Sequence, residues 1–401
     1  MADIVLTKNR DYSDLDLDKF ARSLDDPSEC YKFYWLEAII SLLNSGKTTF
    51  TFEEIIDRMI ASVWYTVTTY HLHLGPRRDV STASNNMELA VDALNSALQS
   101  KGKALAKDAP TELIIAEMHQ EDKAVRKYKA TIAQTVPYFF LSQFITVPKT
   151  HNTTNNWRKP QVVVPIINET FRTQVIPYNI IHMKDRLQSQ VVMNEKWAEY
   201  LINEQTVIKE WLQYKKIVFL QARNPGVPGI IYKLEPEKQR NYENVRKLWN
   251  ILIDRNDFMD IYSRQSLQEE GRYDLDHFVP WSYVACDELW NLTPTNHTMN
   301  IQKSDHLPDW DLFSKDMVDQ QYCMYRTVVD RDDSDLNAAF SHCLKTNLNA
   351  AWAVGQLYNP ANSETVFKNM LHDNLENTYK DALNSGFSGG FRGYKQLQLE
   401  I

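Results

Sequence analysis

The residues best able to do chemistry lie between Tyr273 and Pro308, in YDLDHFVPWSYVACDELWNLTPTNHTMNIQKSDHLP. Asp276-His277 ends a run of alternating apolar residues. Asn291 follows inside Trp290-Asn291-Leu292, and Asn300 and Lys303 stand at i and i+3 further on. These types suit the hydrolysis of a phosphodiester, an anion that repels nucleophiles. A base must activate water, and a divalent cation with open positions must neutralise charge on the phosphate and leaving oxygen. His277 suits the base because imidazole titrates near neutral pH. Asp276 and Asn300 offer a carboxylate and a neutral carbonyl oxygen. Such a pair suits a hard, partly hydrated ion such as Mg²⁺, with Mn²⁺ as a substitute. Lys303 shares a helix face with Asn300 and can reach a phosphate oxygen. Asn291 is expected to pin the loop between strands, holding His277 through a backbone hydrogen bond.

Positioning these groups takes a hairpin that delivers Asp276 and His277, then a helix that supplies Asn300 and Lys303. In a regular strand Asp276 and His277 face opposite ways. Twist or a bulge near the strand end must turn both toward one site.

At these residues the sequence resembles the HNH endonucleases, the ββα-metal fold. The shared pattern is D-H-F-V-P-W-S, then W-N-L-T-P-T, then N-I-Q-K-S-D-H-L-P. The resemblance implies His277 as general base, Asp276 and Asn300 as metal ligands, and Asn291 as the motif's middle asparagine. Asparagine in place of histidine at 300 makes this an H-N-N variant, similar to the HNH domain of CRISPR effector nucleases. Many relatives carry two Cys-x-x-Cys pairs around a structural zinc. The positions for one pair here are Asn296 and Met299, so no structural zinc is expected and apolar packing is expected to brace the fold. The implied activity is Mg²⁺-dependent hydrolysis of DNA that leaves 5′-phosphate ends. One site cuts one strand, so a double-strand break would take a homodimer or two visits. A long helical region joined to such a module resembles a bacterial restriction or anti-phage defence effector, a class that often acts with a sensor or regulatory partner protein. Two other readings keep the same residues: a catalytically silent HNH module that binds DNA, and a toxin-like nuclease that cleaves RNA.

The 401-residue chain can bury a substantial core. It reads as α+β and predominantly α-helical, with a small ββα-metal module embedded between helical regions. Residues 1–135 form an N-terminal helical region, and 136–250 a mixed region with a basic surface that is a candidate DNA cradle or sensor. The nuclease module spans 251–312, and 313–401 is a C-terminal helical region with a glycine-rich tail. A net charge of −8 argues against a protein coated in nucleic acid but is compatible with a local patch. Between Lys209 and Lys247 nine Lys or Arg face four Glu, whereas Gly271 to Trp310 holds two basic residues against six acids. A polyanion would be repelled by that acidic pocket unless a cation filled it.

Cys30, Cys286, Cys323 and Cys343 lack metal-like spacing and read as buried thiols of a reducing compartment. The start MADIVLTKNR lacks an apolar signal core and no apolar run reaches spanning length, so a cytoplasmic protein with no membrane partner is expected. No glycine-rich phosphate loop occurs, which sets aside a nucleotide-driven motor.

Along the chain, Tyr31–Asn44 reads as an apolar helix stopped by Gly46, and Thr51-x-x-Glu54 as a capping box for the next. The aromatics from Tyr31 to Tyr65 have helical spacing and read as core. His71 and His73 could share a strand face and bind metal, but no acid or cysteine lies nearby in sequence. Asn86–Ser100 and Thr111–Ala133 read as helices, the second with Lys123, Arg126, Lys127 and Lys129 on a solvated face. Prolines punctuate β-prone runs from Pro137 to Met183, including Gln161–Ile167, with a polar loop at Thr150–Pro160. Residues 184–250 return to helix. Ser314–Val329, Leu336–Leu357 and Ser363–Leu383 are further helices, and the tail from Gly386 reads as a flexible arm or frayed end.

Overall fold

Capping and apolar period decide where the first helices begin and end. In the computed structural model, which describes residues 12–25, 27–76, 85–148, 156–234 and 242–394, helix Tyr31–Leu43 buries apolar residues nearly all round. Trp35, Trp64 and Phe33 are fully enclosed, so the aromatic cluster is core. Thr51 Oγ1 accepts from the Glu54 amide at 3.1 Å, and the Glu54 carboxylate accepts from the Thr51 amide at 2.7 Å. This closes the capping box that starts helix Phe52–Ser62.

The chain divides into two compact units, Met1–Pro225 and Gly226–Ile401, parted within the turn Arg223–Gly229. In the first unit, helices surround a small antiparallel sheet of β1 (Thr49–Thr51), β2 (Tyr178–Ile181) and β3 (Gln190–Met193), with β3 central. Phe50 and Ile180 lie on either side of Val191 and all three are buried. Thus β3 interrupts the stretch 184–250 that was expected to be helical.

The β-prone run Gln161–Ile167 lies instead inside helix Pro160–Thr173. Pro160 occupies the first turn, where its missing N–H costs nothing, and Val163, Val164 and Ile167 share the buried face. That helical period overrides the β preference of valine and isoleucine. The expected helix Thr111–Ala133 breaks at Glu121 into Thr111–Gln120 and Asp122–Ile132. Within the second, Lys129 is buried against Asp57 at 2.7 Å rather than on a solvated face. His71 ends helix Trp64–Tyr70 at φ 52°, while His73 meets Glu88 at 3.4 Å. An acidic partner therefore does exist, delivered by helix Asn86–Gln99 and not by sequence neighbours. Arg77-Arg78, the loop from Thr150 to Asn155 and the first eleven residues lie outside the described residues.

The second unit packs helices Glu243–Arg255, Trp310–Asp330, Ser334–Thr346 and Glu364–Asn384 around a hairpin of β4 (Asp274–His277) and β5 (Leu292–Thr295). Trp249, Tyr262, Phe278, Phe313 and Leu371 form part of its core. The helix expected over Leu336–Leu357 stops at Thr346, followed by a separate π-helical turn, Ala353–Leu357. Asn347 ends it because its groups are used elsewhere: its side chain donates to the Asp287 carbonyl at 3.0 Å and its carbonyl accepts from Leu289 at 2.8 Å. The tail is not an arm as far as Tyr394. Phe387 and Phe391 are buried, Leu307 donates to Ser388, and Tyr394 donates to the Tyr262 carbonyl. A Cβ on Gly393 would lie 2.6 Å from that carbonyl, so only glycine admits this approach.

Several described cations of the basic run 209–247 are paired or buried within their own unit. Lys216 is buried and paired with Glu37 at 2.8 Å, Lys215 pairs with Asp25, Lys247 with Glu243, and Lys233 is buried. Cys30 and Cys343 are buried as expected, whereas Cys286 is half-buried and Cys323 exposed. No described helix is long and apolar enough to cross a membrane.

Candidate active site

The hairpin and helix follow each other as the residue types require. Strand β4 pairs with β5 so that Asp276 faces Thr293 and His277 faces Leu292. Asn296 then caps helix His297–Lys303, accepting from the Thr298 amide at 2.7 Å. The zinc-knuckle positions are thus a helix cap (Asn296) and a core side chain (Met299). Apolar packing braces the module as expected, but a buried carboxylate does so too. Asp260 is fully enclosed and accepts from the amides of Tyr262 and Asn296 and the hydroxyls of Ser263 and Thr295, all at 2.8–3.0 Å. It ties the loop ahead of the hairpin to the junction of β5 and the helix.

Asn291 is buried and pins the chain just past His277. Its side-chain oxygen accepts from the Val279 amide and its nitrogen donates to the Val279 carbonyl, both at 2.9 Å. Its backbone carbonyl takes the Phe278 amide at the same distance. The hold is on the two residues after the histidine, close to the role expected of it.

Lys303 departs from expectation. It is fully buried and points inward, donating to Asp276 Oδ1 at 3.1 Å and to the His277 carbonyl at 2.7 Å, with Asp276 Oδ2 at an ion-pair distance of 3.0 Å. Burial pulls its pKa down, with the Asp276 charge and hydrogen bond pulling the other way. Its place is beneath the site, not at a phosphate. Tyr262 donates to Asp276 Oδ2 at 3.0 Å, and burial, then the carboxylate's charge, push that phenol far up.

Asn300 Nδ2 donates to Asp274 Oδ2 at 3.0 Å, and His297 Nδ1 meets the same oxygen at 2.7 Å. Burial alone would raise the Asp274 pKa, but the hydrogen bonds from Asn300 and His297 carry it below the usual carboxylate value. A carboxylate only accepts, so the amide orientation is fixed and Asn300 Oδ1 is the end left for a cation.

An open cleft of about 190 Å³ is lined by Asp276, His277, Asn300, Ser304 and Asp305, with Trp281 and Pro280 as an apolar wall. Asp276 and His277, neighbours in β4, both border it; His277 is the strand's last residue, where regular alternation ends. Asp276 accepts hydrogen bonds from Tyr262 and Lys303, against about four acceptor positions on a carboxylate, which leaves oxygen lone pairs for a cation. Among the described residues no three His, Cys, Asp or Glu side chains cluster to hold a metal by themselves. An ion held by Asp276 and Asn300 would have to complete its shell with water.

Sequence reasoning missed Asp260, Tyr262, Asp274 and Asp287. Asp274 had a signal, since it lies two residues before Asp276 on the same face of β4. The others are brought in by tertiary packing and had none. No curated protein and no solved structure matches the chain. Residues 260–309 match the family described as HNH endonuclease. Strands β4 and β5, helix His297–Lys303 and the cleft residues Asp276, His277 and Asn300 all fall inside that match, so it is this segment of the chain that is similar to the HNH endonucleases.

Proposed function

We propose that the protein is a metal-dependent endonuclease that hydrolyses DNA phosphodiester bonds, with His277 as general base and Asp276 and Asn300 as ligands of one divalent ion, Mg²⁺. The observation that carries this reading is that these three side chains border one cleft. A divalent ion bound there would neutralise charge on the phosphate and on the departing 3′ oxygen. The chain's own groups do the rest. His277 accepts the proton of the attacking water. Asn291 holds the backbone beyond His277, and Lys303 holds the His277 carbonyl and the Asp276 carboxylate. Tyr262 fixes the second oxygen of Asp276. Asp274 turns the Asn300 amide so that its oxygen remains for the ion.

The setting we propose is bacterial defence against foreign DNA, on the resemblance of a helical region joined to such a segment. With one site per chain, the first product from supercoiled plasmid is the nicked circle. The test is plasmid and structured RNA offered separately with Mg²⁺ at one ionic strength. Wild type should nick plasmid, and His277→Ala should slow this by roughly 10²–10⁴-fold, the usual worth of a general base. Equal rates in the two proteins would overturn the assigned base, and faster cleavage of RNA would overturn the substrate.

A further inference from the structure

The imidazole of His277 has a carboxylate partner that the nuclease reading does not use. Asp287 Oδ1 lies 3.1 Å from His277 Nε2, in a pocket where the histidine side chain is 4% exposed and the aspartate 16%. The Tyr242 ring packs near the imidazole, with centroids 5.8 Å apart. A neutral imidazole carries one N–H, and a carboxylate only accepts. The proton therefore belongs on Nε2, and Nδ1 keeps the lone pair.

The loop that carries Asp287 is itself clamped. Asn347 donates from its side chain to the Asp287 carbonyl at 3.0 Å and accepts from the Leu289 amide at 2.8 Å. Next along the chain, the buried Glu288 carboxylate takes the Asn349 amide at 2.8 Å, the Asn349 side chain at 3.1 Å and Trp290 Nε1 at 3.2 Å. A freely moving surface aspartate would give the ring no fixed direction. This one sits on a loop tied down on both sides of its side chain by residues 347–349, which lie outside the family match at 260–309.

We propose that Asp287 is a positioning residue for His277, holding the imidazole in one rotamer and in the tautomer whose basic nitrogen is Nδ1. The inference rests on His277 being the base of the reading above. It adds that this base is held from the side by a carboxylate and, through the 347–349 clamp, by the C-terminal helices.

The experiment uses the full chain with ¹⁵N-labelled histidine, at a pH where the ring is neutral, and Asp287→Ala, Asp287→Asn and Asp287→Glu. The His277 signals are identified by their loss in His277→Gln. In wild type His277 should show a protonated Nε2 and an unprotonated Nδ1. Asp287→Ala should give a mixture of the two tautomers. In parallel, kcat for plasmid nicking should fall roughly 10- to 100-fold with KM unchanged, by analogy with loss of the partner that orients a metal-bound histidine. Asp287→Glu should restore part of both signals. An unchanged tautomer and unchanged kcat in Asp287→Ala would overturn the proposal. So would a loss of kcat that comes with altered KM and lowered Tm in all three variants, which marks a purely structural role. A tautomer that depends on Asp287 in a protein that nicks neither plasmid nor RNA would refute the nuclease reading while leaving the positioning intact.

Discussion

Lys303 Nζ lies 3.0 Å from Asp276 Oδ2, and both groups are buried. A charge partner is therefore built into the fold beside the carboxylate proposed to hold a cation. Lys303→Met should cost about 3–5 kcal/mol of stability, because it leaves a buried carboxylate unpaired. Lys303→Met combined with Asp276→Asn should recover much of that loss, which urea midpoints of the four proteins would measure. Mn²⁺ should raise the midpoint of Lys303→Met more than that of wild type, since only the variant lacks a cation at Asp276. Equal shifts in the two would mean that the ion does not bind at this carboxylate.

Asp274 is argued to act on the ion through Asn300 alone. Asp274→Ala frees the Asn300 amide to turn its nitrogen toward the cleft, and Mn²⁺ affinity by calorimetry should weaken roughly 10- to 100-fold. Asp274→Asn should do less, because an amide oxygen can still accept from Asn300 Nδ2. The side chain is about one-third exposed, so the unfolding midpoint should barely move in either variant. Unchanged affinity in Asp274→Ala would remove the orienting role.

What the sequence made legible was local. The order of strand, loop, strand and helix from Asp274 to Lys303 follows from residue spacing, and so does the capping box at Thr51, where two side chains three residues apart satisfy each other. The elements that carry Asp276, His277 and Asn300 were legible for the same reason. Strand alternation alone would point Asp276 and His277 apart, whereas both border one cleft because His277 ends β4. The direction in which Lys303 points was not legible. A lysine at i+3 from Asn300 can turn to solvent or beneath the strand, and the acceptors that decide this, Asp276 and the His277 carbonyl, belong to another element. Gln161–Ile167 failed differently, since β-branched residues fit either strand or helix and burial of Val163, Val164 and Ile167 on one face settled it. The tail from Gly386 to Tyr394 was misread because glycines that suggest freedom are also those that admit close backbone contact, as Gly393 does at Tyr262.

Asp260 stands in the part of the module that many relatives brace with zinc. Asp260→Ala would leave the amides of Tyr262 and Asn296 and the hydroxyl of Thr295 without their acceptor in a buried setting. Each such loss costs about 1–3 kcal/mol, so the variant should be among the least stable single changes in this unit. Asp260→Asn keeps one acceptor oxygen and should retain part of that stability. A thermal midpoint for Asp260→Ala within a degree of wild type would show that apolar packing alone suffices.

Lys233 gives the fold a pH dependence of its own. Burial draws its pKa down to about 7, with a weaker opposing pull from Cys286, while its ammonium donates to the Ser282 and Tyr283 carbonyls at the end of the short helix Trp281–Val284. The unfolded chain holds this proton up to the ordinary lysine value near 10.4. Between about pH 7 and that value the unfolded state binds more protons than the folded one, so stability rises with pH across this window. Below pH 7 both states are protonated and the penalty for the buried charge is fully present. Between pH 7 and 9 the gain should be roughly 2 kcal/mol, since each unit is worth about 1.4 kcal/mol at full effect. Lys233→Met has no such proton, so the difference between its urea midpoint and that of wild type should shift by that amount in favour of wild type as pH rises. A difference that stays constant over this range would mean that the lysine keeps its usual affinity for the proton inside the fold.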